Sequence, residues 1–309
     1  MGKLPVDTEF LRQRLKLKHL EAKKKIWETY PHVEKFFQEK GLDLGKIREH
    51  SAKIVGVSAL TGALLLNPPS NIKMLPAPHE ILAKFTDDKT GSESSKKILV
   101  DTFNSVLPTR PRPLTRTEEK LLEQVFLNVT GIPARATLEG EHLNTTYGFI
   151  GAEQHLRRYP GDNLKNHGDQ DIIKEGIAPG LSAWGYISPS KEELAEDLEE
   201  VERWYAVVQT MYLPDWNTRQ PYLKDWYKHR KVFIVNTENG NAVVAAIADS
   251  GPAAWTGKQF GGSPEVMQTL GGNKYKKGPV ITFFVDDPEN KISLGLVEYN
   301  NLEIAMLRN

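Results

Sequence analysis

Apolar and polar positions change their spacing several times along the chain. Over residues 8–30, Leu11, Leu15, Ile26 and Trp27 recur among lysines and glutamates, the spacing of an amphipathic helix. Residues 54–66 (IVGVSALTGALLL) are the most apolar run, preceded by Lys46, Arg48 and Lys53 and ended by Pro68-Pro69. Thirteen residues fall short of the roughly 20 that span a bilayer. The run reads either as a membrane anchor or uncleaved export signal, or as a buried helix. Residues 1–66 are therefore a helical region with a candidate membrane anchor. Proline-rich stretches at 67–80 and 105–115 suggest extended linkers. Between them and the next domain, Thr115 and Glu118 stand at capping-box spacing ahead of Leu121, Leu122, Val125 and Phe126. Residues 67–138 thus read as linker and short helices.

Residues 139–309 carry a different pattern. Ser190 and Glu193 form a second capping box, followed by Leu194, Leu198, Val201 and Tyr205 at helical spacing, which predicts a helix starting near Ser190. After it the period shortens. Lys231–Val235, Ala242–Ala248 and Val280–Val285 are short, β-branched and bounded by turn residues, as strands are. Asn239-Gly240 between the first two is a hairpin signal, since both residues tolerate positive φ. Ser263, Pro264 and Glu265 suit the N-cap and first turn of a helix that Gly271-Gly272 ends.

Composition narrows the chemistry. Lys+Arg and Asp+Glu both number 40, so whole-chain nucleic-acid binding, which needs a basic excess, is not expected. The basic stretch Lys16–Lys25 could meet acidic phospholipid or nucleic acid, or be a solvated helix face. Cysteine is absent, which excludes disulfides and thiolate chemistry. No phosphate loop or dinucleotide fingerprint is visible, so no cofactor is implied. Residues 139–168 hold His142, His155 and His167 with Glu141 and Glu153. Three histidines and carboxylates could bind zinc, but the spacings match no zinc signature and no metal is assigned. The segment reads instead as a loop-rich lead-in along one side of a groove, with Glu153 and His155 as its candidate site residues. Five of the six tryptophans fall between Trp184 and Trp255, accompanied by Tyr186, Tyr205, Tyr212, Tyr222 and Tyr227. Aromatic faces stack on the apolar faces of sugar rings, although core packing explains many of these residues equally well.

One block carries more. Val235-Asn236, Asn239-Gly240, Val243-Val244, Ile247, Asp249, Gly251-Pro252, Ser263, Leu270 and Gly271 follow in an order that resembles rare lipoprotein A and its barwin-like and expansin-like relatives. Upstream, Ala183-Trp184-Gly185-Tyr186 resembles the start of the same barrel. The resemblance implies an α+β fold: an N-terminal helical region followed by a C-terminal six-stranded double-psi β-barrel. It also implies a polar groove for a glycan strand and a role in the cell envelope, with peptidoglycan as partner and the barrel outside the cytoplasm. Family members are lytic transglycosylases, or bind wall polysaccharide without cutting it. Asp249 matches the functional aspartate, and Trp184, Tyr186, His229, Ser250, Trp255 and Ser263 fall on the same groove. Two positions depart from the family. Gly261-Gly262 stand where it has Asp-Leu, and His229, the nearest candidate for its histidine, lies only seven residues before Asn236. Asp215, Asp225 and Glu265 are the nearby carboxyl groups that could substitute. A carboxyl group with a raised pKa can protonate a leaving glycosidic oxygen. Read by residue type alone, Asp249 equally suits an acceptor that holds a turn. A cytoplasmic barrel of unrelated function is the third reading, should 54–66 prove to be soluble core.

Overall fold

Runs such as Val-Phe-Ile-Val and Val-Ile-Thr-Phe-Phe-Val are apolar at every position but Thr282. A strand reads that way when both of its faces are buried. The computed structural model, which describes residues 92–167 and 174–299, accounts for this pattern. The readings over 8–30 and 54–66 lie outside the described residues. Among the described residues no helix is long and apolar enough to cross a membrane.

In chain order the elements are helices α1 (Ser92–Val106) and α2 (Arg116–Thr130), then the short strands β1 (Ala134–Arg135), β2 (Thr137–Leu138) and β3 (Glu141–His142). Strand β4 (Tyr147–Ala152), helix α3 (Glu196–Arg203), strand β5 (Tyr205–Val208) and helix α4 (Trp216–Tyr227) follow. The last are β6 (Lys231–Asn236), β7 (Ala242–Ser250), β8 (Phe260–Gly262), α5 (Pro264–Gly271), β9 (Lys277–Val285) and β10 (Gly295–Leu296). Strands β6, β9, β4, β8, β5 and β7 pair in that order, and β7 pairs back to β6, so six strands close a barrel. Closure removes the open edges at which sheets aggregate. The pairs β4–β8 and β5–β7 are parallel and the other four antiparallel. β1 and β10 attach outside the ring, to β9 and β7.

Strand alternation sorts the apolar residues into two cores. Val232 and Ile234 of β6, Val243, Ala245 and Ile247 of β7, and Val280 and Phe284 of β9 pack together inside the barrel, joined by Val266, Met267 and Leu270 of α5. Their neighbours Phe233, Val235, Val244, Ile281 and Phe283 point the other way, under Leu99 and Phe103 of α1 and Leu122, Val125 and Phe126 of α2. The Phe126 ring meets those of Phe233 and Phe283 edge-on, with centroids 5.2 and 5.5 Å away. A smaller cluster of Leu156, Tyr205, Val207 and Ala248 covers β5 and β7 on a third side.

The capping box predicted for α2 forms in full. The Thr115 hydroxyl accepts from the Glu118 N–H, and the Glu118 carboxylate accepts from the Thr115 N–H at 2.7 Å. Gly131 ends the helix in the left-handed conformation (φ 76°). Within the segment read as linker and short helices, α1, α2 and β1 pack against the barrel. The second box behaves otherwise. Ser190 and Glu193 do bond to one another, at 3.3 Å, but they close a turn. Helix α3 starts only at Glu196 and has no side-chain cap. Tyr205 leaves it to begin β5, where Tyr205, Ala206, Val207 and Val208 are all buried between sheet partners. In the hairpin only Gly240 takes positive φ (74°). Asn239 instead donates to the Leu270 carbonyl, as Asn236 does, so the turn also caps the end of α5.

Candidate functional site

Asp249 lies near the end of β7, where the strand register shifts against β5. There Val207 pairs with Asp249 on one side and with Gly261 of β8 on the other. Asp249, Val207 and Gly261 thus form one row across three strands. Asp249 Oδ1 accepts from the Ala183 N–H at 2.7 Å and from the Ser250 N–H at 2.8 Å. Burial pushes the carboxyl above the ordinary aspartate range, and the two N–H bonds oppose that rise. The aspartate therefore holds the 180–188 loop onto the barrel while remaining partly exposed. The Ser250 hydroxyl bonds that of Thr210, just after β5. The Gln209 amide donates to the carbonyls of Pro252 (3.0 Å) and Lys258 (3.2 Å), fixing the loop between β7 and β8.

The far end of the row is built on glycine. Gly151 of β4 pairs with Gly261. A Cβ at Gly261 would stand 2.5 Å from Glu153 Cγ, and one at Gly151 would stand 2.1 Å from Lys258 Cδ. The two glycines are a floor on which Glu153 and Lys258 lie flat, joined by an ion pair of 3.0 Å. Glu153 thus fills the space that a side chain at position 261 would take. Neighbouring strands are about 4.8 Å apart, so the Asp249 and Gly261 backbones stand roughly 10 Å from each other across β5.

Exposed apolar side chains surround the Asp249 end. Leu181 and Tyr186 come from the loop that Asp249 holds, Met211 and Tyr212 follow β5, and Trp255 follows β7. Trp255 is 88% exposed. The Tyr212 hydroxyl accepts from the Ala254 N–H beside it (3.0 Å), which ties two of these segments together. Trp184 is half-buried, and its indole N–H donates to the Lys224 carbonyl on α4 at 2.8 Å.

The other residues singled out in the sequence fall elsewhere. Ser263 is fully buried. Its hydroxyl donates to the Arg203 carbonyl (2.6 Å) and accepts from the Val266 N–H, so it caps α5 and offers a ligand nothing. His155 is likewise fully buried, with Nδ1 3.2 Å from Glu202 of α3. His229 stands at positive φ (58°), its N–H on the Ile247 carbonyl. It lines a cleft of about 170 Å³ with Leu138, Glu139, Arg230 and Asp287, and burial holds its imidazole below the usual range. Of the substitute acids, Asp215 pairs with Arg219 at 2.6 Å, Asp225 is exposed on α4, and Glu265 is buried in the first turn of α5. Among the described residues neither His229 nor any of these three acids bonds to Asp249. The row through Val207 had no local signal: a Phe-Gly-Gly strand looks like a loop, because glycine disfavours strands.

No known family model matches the chain, and no curated protein matches it. Among solved structures, that of the apo-form expansin of Clavibacter michiganensis is similar at 15% identity and a TM-score of 0.26. The match covers 46% of this chain and about half (51%) of the expansin chain.

Proposed function

We propose that the face running from Asp249 across Val207 to Glu153 binds a strand of cell-wall glycan, and that the protein acts there as a non-catalytic module. The observation that carries this reading is the row itself: a carboxylate at one end, an ion pair on a glycine floor at the other, and an apolar rim beside them. Sugar hydroxyls need polar partners, and sugar rings need flat apolar ones. The glycine floor holds the Glu153–Lys258 ion pair low on the barrel, where it can meet sugar hydroxyls. The order of the strands, with its two parallel pairs, agrees with the double-psi barrel implied by the Asn236–Gly271 resemblance, which supports wall polysaccharide as the ligand class. On this reading the protein works in the cell envelope.

A second reading, lytic cleavage of peptidoglycan, is favoured by one observation, the half-buried place of the Asp249 carboxyl near the end of β7, where burial pushes its pKa up. The carboxyl group would give its proton to the leaving glycosidic oxygen as the C1–O4 bond breaks. It would then take a proton from the C6 hydroxyl as O6 closes on C1 to leave an anhydro-sugar. Against it stand the two backbone bonds already made by Asp249 and, among the described residues, the lack of a second acid bonded to it.

Peptidoglycan strands incubated with the full chain separate the readings. The binding module co-sediments with the strands, leaves their mass spectrum unchanged, and loses about tenfold in affinity in Asp249→Asn. Anhydro-sugar ends made by the wild type and abolished in Asp249→Asn would establish the lytic reading. Neither binding nor cleavage would refute both.

A further inference from the structure

His155 and His167 of the lead-in meet Glu202 of α3, and all three are buried. Glu202 Oε1 lies 3.2 Å from His155 Nδ1, and Oε2 lies 3.1 Å from His167 Nδ1. One nitrogen of each ring and the carboxylate together place three ligand atoms within 4.8 Å of one another. Donors around a tetrahedral zinc ion, at bond lengths of about 2.0–2.1 Å, stand roughly 3.3 Å apart, close to the two shorter distances. The sequence hid this group because the glutamate comes 35 residues after His167, from another element.

Two further observations point to a ligand. Asp162 Oδ2 is 2.7 Å from His167 Nε2 and is itself held by the Arg158 guanidinium and N–H. A carboxylate on the far nitrogen of a histidine fixes its tautomer and leaves the near nitrogen as a lone pair, the arrangement behind many metal-bound imidazoles. The second observation is Glu265, 6% exposed, whose Oε2 meets no hydrogen-bond partner among the described residues. It lies in the first turn of α5, which packs against α3.

We propose that His155, His167 and Glu202 bind one divalent transition-metal ion of the zinc class. The ion clamps the lead-in, which carries Glu153 to the glycine floor, against α3. Imidazole and carboxylate donors suit zinc.

The test uses the full chain, stripped with a chelator and then dialysed against zinc chloride. Wild type is expected to retain one zinc per chain by elemental analysis and to melt at a higher temperature than the stripped form. His155→Gln and Glu202→Gln are expected to retain less than a tenth of an equivalent. Asp162→Asn is expected to bind about 10–100-fold more weakly. His142→Gln, at the half-exposed contact with Glu119, is the control that keeps its zinc. Histidine-ring nitrogen spectra of the wild type need no variant: zinc should move the Nδ1 signals of His155 and His167 alone. Wild type that retains no zinc, or zinc that leaves both rings unmoved, overturns the proposal.

Discussion

At the residue scale the decisive group is Asp249, which does two things with one side chain. Its Oδ1 holds the 180–188 loop by accepting from Ala183 and Ser250, and asparagine can accept the same two bonds. Burial raises its carboxyl, so the folded state binds the proton more tightly than the unfolded one. Its ionised form therefore weakens the fold as pH rises from the unfolded aspartate range through the raised native value. Asp249→Asn should accordingly leave the thermal midpoint near neutral pH unchanged or slightly raised while glycan binding falls. A large drop in midpoint would make Asp249 a structural residue alone. Trp255 gives the complementary case. With 88% of its surface exposed it contributes little to packing. Trp255→Ala should therefore leave the melting curve unchanged and weaken glycan co-sedimentation about tenfold, which corresponds to about 1.4 kcal/mol of lost stacking.

At the scale of elements, close contacts set the tolerances. β8 must pass between α5 and β4, and a Cβ at Gly262 would come 2.7 Å from Val266 Cγ1 and 3.1 Å from Ile150 Cδ1. Both neighbours are β-branched core residues with little freedom to move. Gly262→Ala should cost about 1–3 kcal/mol in denaturant unfolding by overpacking. The start of β6 is held differently, by Lys231, whose ammonium is 2.7 Å from Asp287 Oδ2. The Asp287 oxygens also accept from the Lys291 and Ile292 N–H groups. Burial works to raise this carboxyl, but Lys231 and the two N–H groups outweigh it and hold it below the ordinary range. A depressed carboxyl stabilises the fold above its unfolded pKa of about 4, and that stability is lost as pH falls through the lower native value. Asp287→Asn should cost about 2–4 kcal/mol near pH 7. The gap to wild type should narrow as unfolding is measured at progressively lower pH below about 4; a gap independent of pH would refute the ionic account.

At the scale of the molecule, the barrel is only one of the parts that bury its strands. Phe233, Val235, Ile281 and Phe283 face outward into α1 and α2. Removing residues 1–130 should expose that face, so the remainder should bind a hydrophobic dye and lose its cooperative melt. Removing residues 1–91 alone should keep both helices and the cooperative transition. Equal melting of the two truncations would place α1 and α2 outside the folding unit.

Features that depend on near neighbours were legible in the sequence. The strands at 231–235, 242–248 and 280–285 appear in place and slightly longer, because short β-branched apolar runs bounded by turn residues report burial on both faces. The capping box at Thr115 and the Ser263-Pro264 start of α5 are also local, and both form as read. The box at Ser190 shows the limit. Its hydrogen bonds form, but a turn uses them as readily as a helix, and the residues after it are decided by β7 and β8, which draw Tyr205–Val208 into the sheet. Asp249 was legible as a residue; its role in holding the 180–188 loop was not, since Ala183 lies 66 residues away. Where the chain runs apolar, turns and caps follows from residue order alone, because those choices rest on backbone conformation and on side chains a few positions apart. The closing of six strands on one another, the placing of Glu153 over Gly261 and the meeting of Glu202 with His155 and His167 appear only in three dimensions. Those arrangements depend on contacts between distant segments, which the spacing of residues along the chain does not encode.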